Sequence, residues 1–236
     1  MLLLAIETAT DVCSAALHDG RRALADASVR VPRSHAARLA PLVRDLLAHV
    51  GAAPPDLDAV AVSAGPGSYT GLRIGASTAK GLAVATGAAL VAVPSLDAMA
   101  RAAWPVAGLD PILAAFPSRR GEVYAAPFRP EADGLVPLEG PAARVLDEVA
   151  TWVPSGPSFA LVGPGAEAIA AALARAGRTG VRLIEAHASA VHVAALGAGR
   201  FERGQTEDVA AWEPFYLNAV VAQPPRPIFG AEQDAG

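Results

Sequence analysis

The chain of 236 residues is 53% hydrophobic and 18% charged, with a formal net charge of −4. This composition supplies a real core and excludes a disordered polymer, and the weak acidic balance excludes the global basic field that autonomous nucleic-acid binding needs. Cys13 is the single cysteine, which excludes an internal disulfide and a thiolate metal cluster.

The opening Met-Leu-Leu-Leu-Ala-Ile-Glu lacks a basic region and meets Glu7 too early for a signal peptide, so a cytoplasmic location is expected. Apolar runs at Leu2–Ile6 and Val12–Leu17 flank a polar turn, and Arg22–Val31 supplies a third strand, completing a β-meander. Ser34 starts a helix in which Leu39, Leu42, Val43, Leu46, Leu47 and Val50 recur at helical spacing on one face. Pro41 lies inside it and is expected to bend it or leave one carbonyl without a donor. Gly51 and Pro54-Pro55 end it.

Residues 63–75, Ser-Ala-Gly-Pro-Gly-Ser-Tyr-Thr-Gly-Leu-Arg-Ile-Gly, carry the strongest signal in the chain. They join an apolar run at Leu57–Val62 to a helical run at Leu72–Ala85, with Ser68 or Thr70 as the cap. A glycine loop ahead of a helix N-terminus is a usual anion cradle, which makes Gly65, Gly67 and Ser68 candidates; a tightly packed turn without ligand is the equal alternative. Gly67, Gly71, Gly75, Ala79, Ala83 and Gly87 then recur every fourth residue as a ridge almost free of side chains. Each glycine inside a helix costs roughly 1 kcal/mol against alanine, so the ridge calls for the close approach of another helix. That helix belongs to this chain or to another, and the spacing is read here in favour of another. Arg73 and Lys80 interrupt the run, so it is not a membrane span.

A strand at Ala89–Val93 follows. The second half repeats the logic: a hairpin of Pro111–Phe116 and Glu122–Phe128, a strand at Phe159–Val162, a turn at Gly163-Pro164-Gly165, a helix at Ala166–Ala176, a strand at Val181–Ile184 and a helix at Ser189–Arg203. Pro214–Leu217 is a candidate last strand, and Gln223–Gly236 reads as a flexible tail. Two similar rounds of meander, helix, strand, glycine turn and helix define an α/β protein of two related lobes, each a mixed sheet flanked by helices. The expected organisation is an N-terminal lobe over 1–100, a smaller lobe over 101–188, a returning helix and strand over 189–222, and the tail over 223–236.

No catalytic constellation stands out. His35 has Leu39 four residues on, and His187 and His192 lie five apart, so no metal-binding histidine pair shares a helical face. Lys80 follows Ala79 without the phosphate-loop order of glycine, lysine and Ser/Thr, and neither Ser63, Ser68 nor Cys13 has a partner at nucleophile spacing.

Residues 3–17 resemble the first hairpin of the actin/sugar-kinase/Hsp70 (ASKHA) superfamily, in which an acidic residue with Thr, Ser or Gly contacts phosphate. Combined with the 63–75 loop, Pro32-Arg33-Ser34-His35, Arg120-Gly121-Glu122-Val123-Tyr124 and Glu213-Pro214-Phe215-Tyr216-Leu217, the chain resembles the TsaB (YeaZ) family up to about Leu217. The resemblance implies the two-lobe actin-like ATPase/ribonuclease H-like fold. It also implies a non-catalytic subunit of the assembly that places a threonylcarbamoyl group on N6 of the adenosine beside the tRNA anticodon. The partner it implies is TsaD, a paralogue that carries the metal and nucleotide chemistry, joined by the ATPase TsaE; tRNA is met only through the complex.

Docking is then expected through the helices Ser34–Val50 and Thr70–Thr86. The expected contact residues are His35, Leu39, Leu42, Val43 and Leu46 on the first, and Thr70, Gly71, Ile74, Gly75, Thr78, Ala79, Leu82 and Ala83 on the second. Gly75→Arg or Ala79→Arg is expected to abolish pairing in a folded monomer, and the same surface is expected to form a homodimer when the partner is absent. No cofactor is expected for the chain alone, with ATP or ADP only at the level of the complex. Glu7, Thr8, Thr10, Gly65, Gly67, Ser68, Gly163 and Gly165 are the candidate nucleotide or anion positions. The alternative is a small-molecule kinase or ATP-binding protein of the superfamily, with Glu7 and Asp11 as first-loop carboxylates; Ala9 stands where many such kinases have glycine. Two departures from the family pattern are Phe116-Pro117-Ser118-Arg119-Arg120, where Asp-Ala-Arg is frequent, and Asn218, where Arg is common.

Overall fold

A computed structural model describes residues 1–31, 34–108, 110–132, 134–153 and 158–217. Two sheets of the same construction organise them. The first has the order β3-β2-β1-β4-β5, built from β1 (Leu3–Glu7), β2 (Cys13–His18), β3 (Ala23–Val29), β4 (Ala59–Ser63) and β5 (Ala89–Val93). β1, β2 and β3 form an antiparallel meander, and β4 and β5 add in parallel. The second follows the order β11-β10-β6-β7-β8, from β6 (Ile112–Pro117), β7 (Glu122–Glu131), β8 (Gly134–Pro137), β10 (Phe159–Val162) and β11 (Val181–Ile184), with β9 (Ala142–Val145) paired to β7. Read from β6, it repeats the first sheet's plan: two antiparallel neighbours on one side, two parallel ones on the other. The fold class is therefore the expected two-lobe, actin-like α/β arrangement.

Helices on both faces explain the sequence of the strands. β1, β2 and β4 are buried at every position, as strands covered on two sides must be. Their side chains alternate between two cores. Leu4, Ile6, Val60 and Val62 meet α1 (His35–His49) and α2 (Tyr69–Thr86) on one face. Leu3, Ala5, Ala59 and Ala61 meet α6 (Ala190–Glu202) on the other. A Cβ on Gly197 of α6 would stand 2.6 Å from the Ala61 Cβ, so small residues on both sides let that helix lie close to the sheet. In the second sheet, Ile112, Ala114, Phe116 and Val162 face α3 (Ser95–Ala107), while Leu113, Ala115 and Leu161 face α4 (Val149–Trp152) and α5 (Ala166–Arg175).

α1 runs from His35 to His49 with Pro41 inside it, as the sequence reading placed it. Several expectations change. Pro214–Leu217 forms no strand; that segment is irregular and joins the first lobe through Phe215 N–H donating to Ala64 O at 2.7 Å. α3, β8, β9 and α4 have no counterpart in the sequence reading. Pro32, Arg33, Asn218 and the proposed tail lie outside the described residues.

Candidate functional site

The 63–68 loop packs on the turn between β1 and β2. A Cβ on Gly67 would stand 2.5 Å from Ala9 O and 2.7 Å from its Cβ, so this glycine exists for close backbone approach. Gly65 has φ +103°, and a Cβ there would collide with Phe215 O; both requirements exclude a side chain. Three of the loop donors that could hold an anion are used within the chain. Ser68 N–H donates to Ala9 O (2.8 Å), Gly65 N–H to Ser95 Oγ (2.9 Å), and Gly71 N–H to Ser68 Oγ (3.2 Å), which makes Ser68 the cap of α2. Thr8 N–H donates to Ser63 Oγ (3.3 Å), and Thr10 Oγ1 accepts from Val12 N–H (3.2 Å). The second glycine turn behaves alike. Gly165 N–H donates to Ala115 O (3.0 Å), and added Cβ atoms on Gly163 and Gly165 would press on Ala115. The candidate positions of the two loops thus have structural explanations inside the chain.

Glu7 is buried at the end of β1 and accepts from Ala9 N–H. Burial pushes its carboxyl up to about 7, against the smaller opposing effects of the Ala9 N–H and Ser63. Burial, reinforced by the Glu7 charge, also pushes the neighbouring Cys13 thiol up to about 11, so the cysteine is a small core residue rather than a nucleophile. Between the lobes lies a cleft of about 1480 Å³ lined by Thr10, His35, Tyr69, Phe116, Arg119 and Tyr216 among others. Among the described residues, no group of three His, Cys, Asp or Glu side chains is placed to hold a metal.

The α1–α2 surface divides the expected docking residues into two sets. Gly71 and Gly75 press on Thr8, where an added Cβ would collide with Thr8 O or Oγ1. Ala79 and Ala83 are buried in the core over β1 and β4. The small-residue ridge therefore meets this chain's own sheet, which corrects the expectation that it receives a helix of another chain. His35, Leu39, Val43 and Leu46 are likewise buried; His35 Nε2 donates to Thr10 O at 3.1 Å and so ties the start of α1 to the β1–β2 turn. Leu42, Ile74, Thr78 and Leu82 are half-buried and Thr70 is exposed.

Sequence reasoning named Thr70, Thr78 and Leu82 on the outward face and missed the rest of it. Ala36, Ala37, Ala40, Pro41 and Ala48 are exposed on α1, and Ser77, Gly81, Val84 and Ala85 on α2, with Val84 75% exposed. Nothing stands within 4 Å of a Cβ added at Gly81. Between the helices runs an apolar groove of about 380 Å³, lined by Ala40, Val43, Leu47, Ala48, Thr78 and Leu82 with Arg44 at its edge. The signal was present: positions 70, 77, 81, 84 and 85 fall opposite the ridge on a helical wheel.

The far flank of α2 is strapped by the segment after α6. Lys80 Nζ donates to Ala210 O (3.2 Å) and Trp212 O (2.9 Å), and Glu207 N–H donates to Leu90 O (2.9 Å). The strap ends with Phe215 and Tyr216 beside Tyr69 at the mouth of the cleft.

These features define a two-lobe actin-like chain whose phosphate-type loops are packed against its own backbone and whose first helix pair is open to solvent. The family model for "TsaD: tRNA N6-adenosine threonylcarbamoyltransferase" matches residues 29–211. The tRNA threonylcarbamoyladenosine biosynthesis protein TsaB of Escherichia coli (strain K12) is 40% identical over 135 residues, covering 57% of this chain and 58% of that protein. Its counterpart in Bacillus subtilis (strain 168) is 35% identical over 154 residues, 65% of each chain. The chain thus spans between about half and two thirds of the length of these curated relatives. The structure of YeaZ from Pseudomonas aeruginosa superposes with a TM-score of 0.79 at 30% identity, over 92% of this chain and 99% of that one. The chain belongs to the TsaB (YeaZ) family, within the group that the threonylcarbamoyltransferase model describes.

Proposed function

We propose that this chain is the non-catalytic docking subunit of the assembly that transfers a threonylcarbamoyl group to N6 of the adenosine beside the anticodon. Its partner is the catalytic paralogue TsaD, and it works in the cytoplasm. The observation that carries the reading is the open α1–α2 face: an alanine- and glycine-rich surface around an apolar groove, on helices whose other sides are buried. Apolar surface of this kind is costly to leave in water, and small side chains let a second pair of helices come close. Two local features support the same reading. The position four residues after His35 is Leu39, buried in the core, so α1 offers no second histidine of the kind the catalytic paralogue uses. The Gly65, Ser68 and Gly71 N–H groups, which could grip phosphate, are already bonded within the chain.

The docking residues are revised accordingly. Ala40, Ala48, Thr78, Gly81, Leu82 and Val84 meet the partner, while Gly71, Gly75, Ala79 and Ala83 hold the fold. Threonylcarbamoyl transfer to tRNA by cognate TsaD and TsaE, with the adenylate donor supplied, tests the proposal. Activity should depend on this chain and disappear with Gly81→Arg, whose side chain has room to extend without disturbing the monomer. Full activity without the chain, or phosphorylation of a small molecule by the isolated chain, would overturn the reading in favour of the kinase alternative.

A further inference from the structure

The outward stripe of α2 does not end at the α1 groove. Arg73 lies one turn from Ser77 and next to Thr70 on the helix surface, and its guanidinium sits 5.5 Å from the centroid of the Tyr69 ring. Arg73 Nη1 also donates to the Tyr69 hydroxyl at 3.2 Å. Tyr69 in turn packs on Tyr216 of the strap, with ring centroids 5.0 Å apart. Tyr69 is 42% exposed, so a large aromatic side chain and a cation stand together in solvent, and Phe215, 50% exposed, lines the same cleft. Among the described residues, no carboxylate lies within ion-pair distance of Arg73, whereas Arg30, Arg44, Arg129, Arg144 and Arg182 all have one.

We infer that the Tyr69–Arg73–Tyr216–Phe215 cluster is a second contact point for the partner subunit, which presents a carboxylate to Arg73 beside an apolar side chain seated on Tyr69 and Phe215. This rests on the docking reading above and extends it from the helix pair to the strap. Three observations support it. The cluster is continuous with the exposed stripe at Thr70 and Ser77. Arg73 is held in place by stacking and by its hydrogen bond, so little side-chain entropy remains to be lost on docking. Aromatic residues and arginine are the side chains that dominate binding energy at protein interfaces. A nucleic acid fits the cluster less well. Backbone binding needs an open row of cations, whereas beside Arg73 and Tyr69 the described cleft mouth offers Arg119 together with Asp11, which is itself paired with Arg30, in a chain of net charge −4.

Isothermal titration of the full chain with cognate TsaD, at two salt concentrations, tests the inference. Tyr69→Ala and Phe215→Ala should each weaken pairing at least about tenfold. Arg73→Glu should weaken it more than Arg73→Ala, and either should flatten the salt dependence. Gly81→Arg serves as the control for the parent reading. If Gly81→Arg pairs normally, the docking face itself is misassigned. If Gly81→Arg fails to pair while the Tyr69, Arg73 and Phe215 variants bind like the parent, the helix pair docks the partner and the cluster does not. Variants that pair normally but retain less tRNA on the assembled complex would assign the cluster to RNA and overturn the inference.

Discussion

Gly75 and Thr8 show why a sequence pattern pointed to the wrong neighbour. A four-residue repeat of Gly and Ala says that something approaches closely, and the approaching group is the end of β1 rather than a foreign helix. Gly75→Ala should therefore destabilise the monomer by about 1–3 kcal/mol, the usual cost of overpacking. The obstacle is one atom, Thr8 Oγ1, which is buried without a hydrogen-bond partner among the described residues. Thr8→Ala removes it, so most of the loss should return in the double variant. Urea unfolding of the four combinations measures this coupling, and additive losses would place the clash elsewhere. Gly75→Arg, expected from sequence to leave the monomer folded, should instead fail to fold.

Glu7 couples the stability of the same turn to pH. Its carboxyl has an ordinary value of 4.5 and stands at about 7 in the fold, raised by burial. The folded state thus binds a proton that the unfolded state has released between those values. The associated stability is fully present below pH 4.5 and is lost as pH rises through about 7. Glu7→Gln keeps the acceptor for Ala9 N–H and removes the charge. It should raise stability at pH 8 by on the order of 3 kcal/mol and change little at pH 4. Thermal melts at both pH values decide the matter, and an equal gain at both would point to packing rather than ionisation.

At the scale of elements, Lys80 holds the strap, and its loss should be felt there and not in the core. Lys80→Met removes both donors to Ala210 O and Trp212 O while keeping the aliphatic stem. A local cost of about 1 kcal/mol at the strap is expected, typical of a part-exposed charged hydrogen bond. Amide exchange should quicken over 207–216 and stay unchanged in β1 and β4. Uniformly faster exchange would mean that the strap is part of the cooperative core.

The elements that were legible in sequence share one property, a contrast between their two sides or a sharp boundary. β1, β4 and β10 are short apolar runs between turn residues, and α1 has a clean apolar stripe ended by Gly51. α3 lacks that contrast. It follows β5 after the single residue Pro94 and is rich in alanine, so its buried Leu96, Met99, Ala100, Ala103 and Ala107 are hard to tell from their neighbours. Their helical spacing was nevertheless the signal that could have found it. β8 and β9 are marginal strands whose residues are half-buried or exposed, and their pairing with β7 is decided by tertiary context. The candidate site failed for a related reason. Sequence reasoning identified the right helix pair, but small residues occupy both sides of α2 and composition does not say which side is inside. Only the collision of Gly71 and Gly75 with Thr8 assigns the buried ridge, and only the open space at Gly81 assigns the outward one.

Among the described residues α1 and α2 present an exposed small-residue face, and both proposed uses of it compete. On the proposed docking reading, a face that admits a paralogue of the same fold also admits a second copy of this chain by a two-fold operation. The isolated chain should then dimerise in a concentration-dependent way, by light scattering, through Gly81 and Leu82. Cognate TsaD should convert that dimer to a one-to-one complex, and the apparent affinity should fall as the concentration of this chain rises, since each docking event must first separate two copies. The aromatic–arginine cluster separates the two assemblies. The inferred carboxylate belongs to the partner subunit, so Arg73→Glu should weaken the heterodimer far more than the homodimer. A species containing two copies of this chain bound face to face and TsaD on the same helices would show that the face is not shared. An Arg73→Glu variant that weakens both assemblies equally would show that the cluster supports the helices rather than choosing the partner.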